Sequence, residues 1–189
     1  FLVVTGIAIY GSTLEGATSG YIYYLALDWK SAFRLEVFTA AAGQAFFSLS
    51  LGMGAILTYA SYLKREESIS KHALVISSAD FGVAFLAGLM VFPLIFALGL
   101  SSQIIGRAGT EDDVGSIGAL FITLPMTFKA MGPAGYWVGI LFFFALSLGA
   151  LTSAISVLEV NVTSAMELFS WSRKKAAFVS GGVIACVGM

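Results

Sequence analysis

Long apolar runs separated by short polar segments dominate the pattern along the chain. Three runs are long enough to cross a bilayer, which takes about 20 residues, and they cover residues 38–62, 73–99 and 136–168. Two shorter apolar runs, 1–10 and 176–189, each supply only part of a crossing. The pattern predicts an all-α, polytopic membrane protein with three complete and two partial transmembrane helices. We therefore expect the sequence to be a fragment of a larger membrane domain.

Composition and charge support the membrane interpretation and exclude several other classes. Apolar and aromatic residues make up 58% of the 189 residues and charged residues only 11%, whereas soluble domains are about 25% charged. The net charge is −1 and the basic residues form no stripe, so nucleic-acid binding is not expected. Cys186 is the single cysteine and His72 the single histidine, which excludes an internal disulfide and a Cys- or His-based metal cluster. We expect His72 to lie at the membrane edge.

The distribution of lysine and arginine predicts the orientation. Two short loops, 64–72 and 170–175, carry six of the ten basic residues. By the positive-inside rule these loops are cytoplasmic. The longer segments 11–37 and 100–135 are then extracellular. In the second of them Pro125 interrupts an apolar stretch, which predicts a broken helix that caps the outer face.

The first long run contains the strongest local anomaly. Gly52 and Gly54 lie at its midpoint beside Ser48 and Ser50. An interior glycine costs about 1 kcal/mol relative to alanine, and serine hydroxyls can bond to non-helical backbone. These residues predict a break at 48–54, and backbone freed inside a bilayer must be satisfied by protein, water, ion or ligand. The alternative is that the glycines only allow close helix packing.

Asp80 is an acid within the second long run. An acid at a helix centre costs roughly 2.5 to 3.5 kcal/mol on insertion scales, so it usually faces the protein interior and marks an ion or proton path. The alternative is a hydrogen bond to a serine or threonine of a neighbouring helix. Pro93, further along the same run, is interpreted as a kink.

A third candidate site lies in the last long run. In an α-helix the carbonyl of residue i shares a face with the side chains at i+3 and i+4, so the Gly149 carbonyl and the Thr152 and Ser153 hydroxyls can converge. Neutral oxygen ligands suit Na+, whereas a divalent ion would favour carboxylates. The alternative is that both hydroxyls bond back to the preceding turn.

Three motifs carry a family resemblance: GQAFFSLSLGMGAILTYASYLKREESI at 43–69, FITLP at 121–125 and LGALTSAISVLEV at 148–160. They resemble the neurotransmitter:sodium symporter family, in its bacterial branch of sodium-dependent amino acid transporters. The resemblance implies an inverted-repeat fold with broken helices. It places the chain from the end of helix 5 to the start of helix 9 of a protein with twelve helices or a similar number. Helices 1, 3 and 10, which would complete the sites, lie outside the sequence.

The resemblance also implies roles for individual residues. The substrate pocket falls on Phe47 as an aromatic lid, with backbone around Ser48 facing the substrate amino group, and on Ser50, Gly52, Met53, Ser153 and Val157. The first sodium site falls on Ser48 and Asp80, and the second on the Gly149 carbonyl, Thr152 and Ser153. The gates fall on Gln44 at the outer side and on Tyr62, Glu159 and Glu167 at the inner side.

Two of the gate acids carry further expectations. In the family, an acid near the end of helix 8 typically pairs with an arginine preceding helix 1, and Glu167 lies near that end. Glu159 is left open as a gate acid, a proton site or the partner of a base outside the sequence.

The expected function is sodium-coupled symport of a neutral, hydrophobic amino acid by alternating access, in the inner membrane of a bacterium. The expected partners are the substrate, membrane lipid and the missing helices, with a homodimer left open. Chloride is not expected, because many animal members have a neutral Asn where this chain has Asp80 and a Ser where it has Ala84. The alternatives are an intramembrane hydrolase, with Ser50 as nucleophile or Asp80 as acid, and a passive channel.

Overall fold

The computed structural model describes residues 2–26, 28–64, 66–105 and 119–188. Among these residues there are helices, turns and connecting segments but no strands, which confirms the all-α prediction. The α-helices are α1 (Leu2–Ser12), α2 (Ala17–Leu25), α3 (Trp29–Ala32), α4 (Leu35–Ser48), α5 (Ala55–Ser61), α6 (Ile69–Ala97), α7 (Ser101–Ile104), α8 (Leu124–Ala130), α9 (Pro133–Phe169) and α10 (Arg173–Val187). The acidic part of the expected outer loop, 106–118, lies outside the described residues.

Two helices of the described chain, α6 and α9, are long and apolar enough to cross a membrane. They correspond to the predicted runs 73–99 and 136–168. At a rise of 1.5 Å per residue, the 37 residues of α9 extend for about 55 Å, well beyond a hydrocarbon core of about 30 Å. The remaining long run, 38–62, is divided between α4 and α5, and the break between them lies where the sequence predicts it.

By its backbone contacts the chain divides into two compact units, and each is described by itself. The first unit comprises Phe1–Ala32 and Ser78–Leu146. Its core is formed where α1, α6, α8 and α9 meet, and the buried side chains are Ile7, Met90, Leu94, Leu124, Phe128 and Phe142. The second unit comprises Phe33–Ser77 and Ser147–Met189, and it contains the predicted helix break.

Helix α2 lies in a segment that the sequence pattern left as a loop, 11–37. It packs against α6 through two glycines: a Cβ on Gly20 would lie 2.5 Å from the carbonyl oxygen of Phe92, and one on Gly88 would overlap the ring of Tyr24. Tyr24 also stacks on Phe92 with a centroid distance of 4.9 Å. Small residues allow close backbone approach between apolar helices, and here they hold a short helix against a long one.

The expected broken capping helix has a different interruption from the one predicted. A π-helical turn, Ala119–Thr123, runs directly into α8. Pro125 lies in the first turn of α8, where a residue without an N–H costs a helix nothing. The Thr127 hydroxyl donates to the Thr123 carbonyl at 2.8 Å. The change of helix type therefore precedes the proline, and the proline begins the new helix.

Candidate functional site

Backbone N–H groups that follow α4 satisfy carbonyls at its C-terminal end. The N–H of Ser50 donates to the Phe47 carbonyl and the N–H of Leu51 to the Phe46 carbonyl, both at 3.0 Å. This pair of bonds is the Schellman motif, which satisfies carbonyls that a helix end would otherwise leave unpaired. The six residues 49–54 that follow α4 are turns, and α5 begins at Ala55.

Two residues of the break have left-handed backbone, and one is not a glycine. Ser50 has φ 53° and Gly54 has φ 75°. A left-handed residue with a side chain costs roughly 1–2 kcal/mol, so Ser50 is held there by the bonds that close α4. Gly52 is not in this conformation, and a Cβ on it would meet open space. The sequence prediction located the break at 48–54 but did not say which residues take the left-handed conformation; the structure shows that these are Ser50 and Gly54.

Helix α5 packs against the second half of α9. Gly54 lies beside Val160, whose Cγ1 would be 3.4 Å from a Cβ on the glycine. Ala55, the next residue, is buried, and so is Val162 on α9. The Tyr59 hydroxyl donates to the Ser156 hydroxyl oxygen at 2.8 Å. This contact places the α5 end of the break next to the turn of α9 that contains Val157.

The predicted second sodium site lies on one exposed face of α9. The Thr152 hydroxyl donates to the Gly149 carbonyl at 2.8 Å, so the back-bond that the sequence left as the alternative is present. The same bond places the two oxygens side by side. A hydroxyl oxygen that donates its hydrogen keeps two lone pairs, which remain available to a cation. Ser153, the third predicted ligand, is also exposed.

A polar cluster joins the C-terminal end of α5, the part of α9 that follows the Gly149–Ser153 face, and α10. One carboxylate oxygen of Glu159 accepts from the Tyr62 hydroxyl at 2.7 Å and from the Arg173 guanidinium at 2.9 Å. The Tyr62 hydroxyl also lies 3.1 Å from that of Thr163. The Glu159 side chain is 14% exposed and that of Arg173 is 65% exposed. The expected inner-gate residues Tyr62 and Glu159 are therefore in contact, and Glu159 has its base within the chain.

Other predicted residues are not joined in this way. Gln44 and Glu167 are exposed, and neither side chain has a hydrogen-bond partner among the described residues. Phe47 and Met53 are 70% and 44% exposed. Ser48 belongs to the second unit and half-buried Asp80 to the first. The expected first sodium site therefore stays a prediction.

An apolar groove lies beside the break, between α5 and the start of α6. It has a volume of about 270 Å³, and its lining residues include Leu49, Ile56, Tyr59, Ile69 and Ile76. None of the residues predicted to bind substrate lines it. An amino acid carries an ammonium and a carboxylate, both costly to bury without partners. This groove is therefore not a candidate for the amino acid pocket.

Sequence reasoning missed four polar residues of these contacts: Tyr59, Ser156, Thr163 and Arg173. Ser156 lies four residues after Thr152, which puts the two on one helix face, and that spacing was a usable signal. Arg173 follows Glu159 by fourteen residues across the turn between α9 and α10. It was counted only as part of a basic loop, because a partner across a turn depends on how the two helices pack.

An interrupted apolar helix with polar groups gathered at and below the break is the arrangement typical of secondary transporters. Comparison with known families agrees. The model of the sodium:neurotransmitter symporter family matches residues 1–189, and the chain belongs to this family. The family is one of sodium-dependent integral membrane transporters, not of enzymes, so the hydrolase alternative is dropped. A serine hydrolase would also need a base close to its nucleophile. The only histidine, His72, lies 2.7 Å from a carboxylate oxygen of Glu67.

Individual relatives show the same likeness. The chain is 36% identical over 177 residues to an uncharacterized sodium-dependent transporter of Methanocaldococcus jannaschii, covering 93% of this chain and 35% of the relative. It is 33% identical to the sodium-dependent transporter YhdH of Bacillus subtilis, covering all of this chain and 39% of the relative. Among solved structures, MhsT in complex with L-phenylalanine matches with a TM-score of 0.83 and 39% identity, over 99% of this chain and 40% of MhsT. The chain thus spans roughly two fifths of these proteins.

Proposed function

We propose that the complete protein is a sodium-coupled symporter of neutral, largely apolar amino acids that works by alternating access. The observation that carries the proposal is the break between Ser48 and Ala55, which lies against the part of α9 that follows the Gly149–Ser153 oxygens. Because the family consists of sodium-dependent transporters, we assign Na+ as the coupling ion. Substrate and sodium bind at the interruption, and α5 with α9 closes the inner side.

The donor set fits sodium. The Gly149 carbonyl and the Thr152 hydroxyl are neutral oxygens 2.8 Å apart, and Ser153 offers a third. Oxygen ligands without charge suit a hard monovalent cation. The C-terminus of α4 carries the negative end of a helix dipole, which favours a cation or an ammonium group beside it. Ser48, the last residue of α4, lies at this end, and we assign it as a ligand of the first sodium.

The substrate is assigned from the side chains around the break. Phe47, Met53 and Val157 offer no charge to a substrate side chain, so a charged one would remain unpaired at a large desolvation cost. Methionine repacks readily around different shapes, and we expect several aliphatic and aromatic amino acids to compete. The phenylalanine bound to MhsT, a relative at 39% identity, supports this class.

Asp80 supports transport without chloride. At 4 Å and an effective dielectric near 20, opposite unit charges attract by about 4 kcal/mol, so a carboxylate at this position would offset the charge of a Na+ bound beside it. A chloride beside it would be repelled by a similar amount. Ala84, one turn later, has no group that could bind an anion. Uptake should therefore continue when chloride is replaced by gluconate, and loss of most uptake would refute this assignment.

The test of the function is uptake of labelled amino acids into liposomes that contain the complete protein. A symporter accumulates substrate above its outside concentration when an inward Na+ gradient is imposed, and stops when choline replaces Na+. A passive channel would only equilibrate the substrate. Glutamate, aspartate and lysine should fail to compete, whereas leucine and phenylalanine should compete. Uptake that ignores Na+ would overturn the proposal.

A further inference from the structure

Tyr59 of α5 and Ser156 of α9 form a hydrogen bond that no part of the predicted site requires. The Tyr59 hydroxyl lies 2.8 Å from the Ser156 hydroxyl oxygen. The Ser156 hydroxyl in turn lies 3.0 Å from the Thr152 carbonyl. A serine hydroxyl has one hydrogen to donate. Because that hydrogen goes to Thr152, Tyr59 is the donor of the bond between the helices.

The two bonds lead to the oxygens assigned to the second sodium. Ser156 bonds to the peptide carbonyl of Thr152, and the hydroxyl of the same Thr152 bonds to the Gly149 carbonyl at 2.8 Å. Three hydrogen bonds, of which the last two are joined through the covalent structure of Thr152, therefore connect α5 with the sodium face of α9. Back-bonding of this kind bends and fixes a helix locally, so the hold on Ser156 also acts on the peptide that carries Thr152.

The bond from α5 is not a general feature of the serines on α9. Ser164 bonds back to the Val160 carbonyl at 2.9 Å in the same way, but no described residue of α5 donates to it. Ser164 therefore lacks the link to α5 that Ser156 has, and it is a matched control on the same helix.

We propose that Tyr59 and Ser156 are a positioning pair that couples closure of α5 against α9 to sodium binding at Gly149, Thr152 and Ser153. While the bond is made, the Thr152 peptide is held in the geometry that binds Na+; when α5 leaves α9, that hold is lost. Coupling of this kind is reciprocal, so bound Na+ also favours the closed contact. The inference rests on the proposed function.

The experiment measures labelled leucine binding to the purified complete transporter as Na+ is varied. A neutral hydrogen bond contributes roughly 0.5–1.5 kcal/mol. Tyr59→Phe and Ser156→Ala should therefore each raise the half-saturating Na+ concentration about fivefold. The double variant should show no further rise, because both changes remove the same bond. Leucine affinity at saturating Na+ should stay unchanged, since neither residue is assigned to substrate.

Two controls separate this coupling from a general loss of structure. Ser164→Ala should leave the half-saturating Na+ concentration at the wild-type value. Ser156→Thr, which keeps a hydroxyl, should also have the wild-type value, in contrast to Ser156→Ala. An unshifted Na+ dependence in Tyr59→Phe, additive effects in the double variant, or an equal shift in Ser164→Ala would overturn the pair alone. Wild-type binding that does not depend on Na+ would overturn the proposed function, and this inference with it.

Discussion

The Glu159 cluster leads to a prediction about which of its two bonds keeps α5 against α9. One carboxylate oxygen accepts from both Tyr62, at 2.7 Å, and Arg173, at 2.9 Å. Arg173 belongs to α10, which follows α9 directly, so it neutralises the acid without joining it to α5. Tyr62 lies just beyond the end of α5 and is the one of the two partners of Glu159 that bridges α5 and α9.

The magnitudes favour the tyrosine as well. A hydrogen bond to a charged group contributes about 1.5–3 kcal/mol, whereas an ion pair with an exposed partner contributes about 0.2–1 kcal/mol. The Arg173 side chain is 65% exposed. Tyr62→Phe should therefore shift the equilibrium between closed and open contact by about 2 kcal/mol, roughly thirtyfold, and Arg173→Gln by fivefold at most.

Spin labels can measure this shift in the complete protein. The exposed Cys186 is first replaced by Ser. Cysteines that replace Leu57 on α5 and Leu168 on α9, which are 80% and 77% exposed, then carry the labels, and pulsed dipolar spectroscopy gives their distance distribution in nanodiscs with Na+. Tyr62→Phe should populate a longer distance strongly and Arg173→Gln weakly. Tyr136→Phe, an exposed tyrosine at the other end of α9, is the control. A larger shift in Arg173→Gln than in Tyr62→Phe would refute the reasoning.

Three further predictions concern packing, backbone strain and ion binding. Gly20→Ala should lower the unfolding temperature of the complete protein, because the new Cβ would lie 2.5 Å from backbone atoms of α6 and overpacking costs about 1–3 kcal/mol; Gly82→Ala, which meets open space in a helix, should not lower it. Ser50→Gly should raise the unfolding temperature by removing left-handed strain of roughly 1 kcal/mol yet weaken substrate binding, and a lower unfolding temperature would contradict the strain. Replacing Thr152 and Ser153 together by Ala should raise the half-saturating Na+ concentration in substrate binding at least about tenfold, and an unchanged value would remove the second sodium site from this face.

The helix pattern and the location of the break could be predicted from sequence because both depend on local properties. Apolar run length indicates α6 and α9, and the serines and glycines around Gly52 indicate an interruption. Which residue takes the left-handed conformation could not be predicted in the same way. Ser50 is placed there by two backbone bonds to α4, against its own conformational preference.

Contacts between distant elements account for what the sequence did not reveal. Helix α2 is short, and its position depends on Gly20 meeting the backbone of α6 more than seventy residues later, which no local pattern encodes. The same holds for Tyr59 and Ser156, whose bond depends on how α5 crosses α9. Glu159 was recognised as significant, but its partner could be assigned only once the turn before α10 had a geometry.

The closed end of α4 matters most when nothing is bound. Its carbonyls at Phe46 and Phe47 are already paired with the N–H groups of Leu51 and Ser50, so these two groups need no bound solute to satisfy them in hydrocarbon. Under the proposed function the carrier returns empty on every cycle, and this end of α4 would not have to re-form at each turnover. The conformational entropy of these residues is lost on folding rather than on binding, so an arriving solute meets a preorganised site.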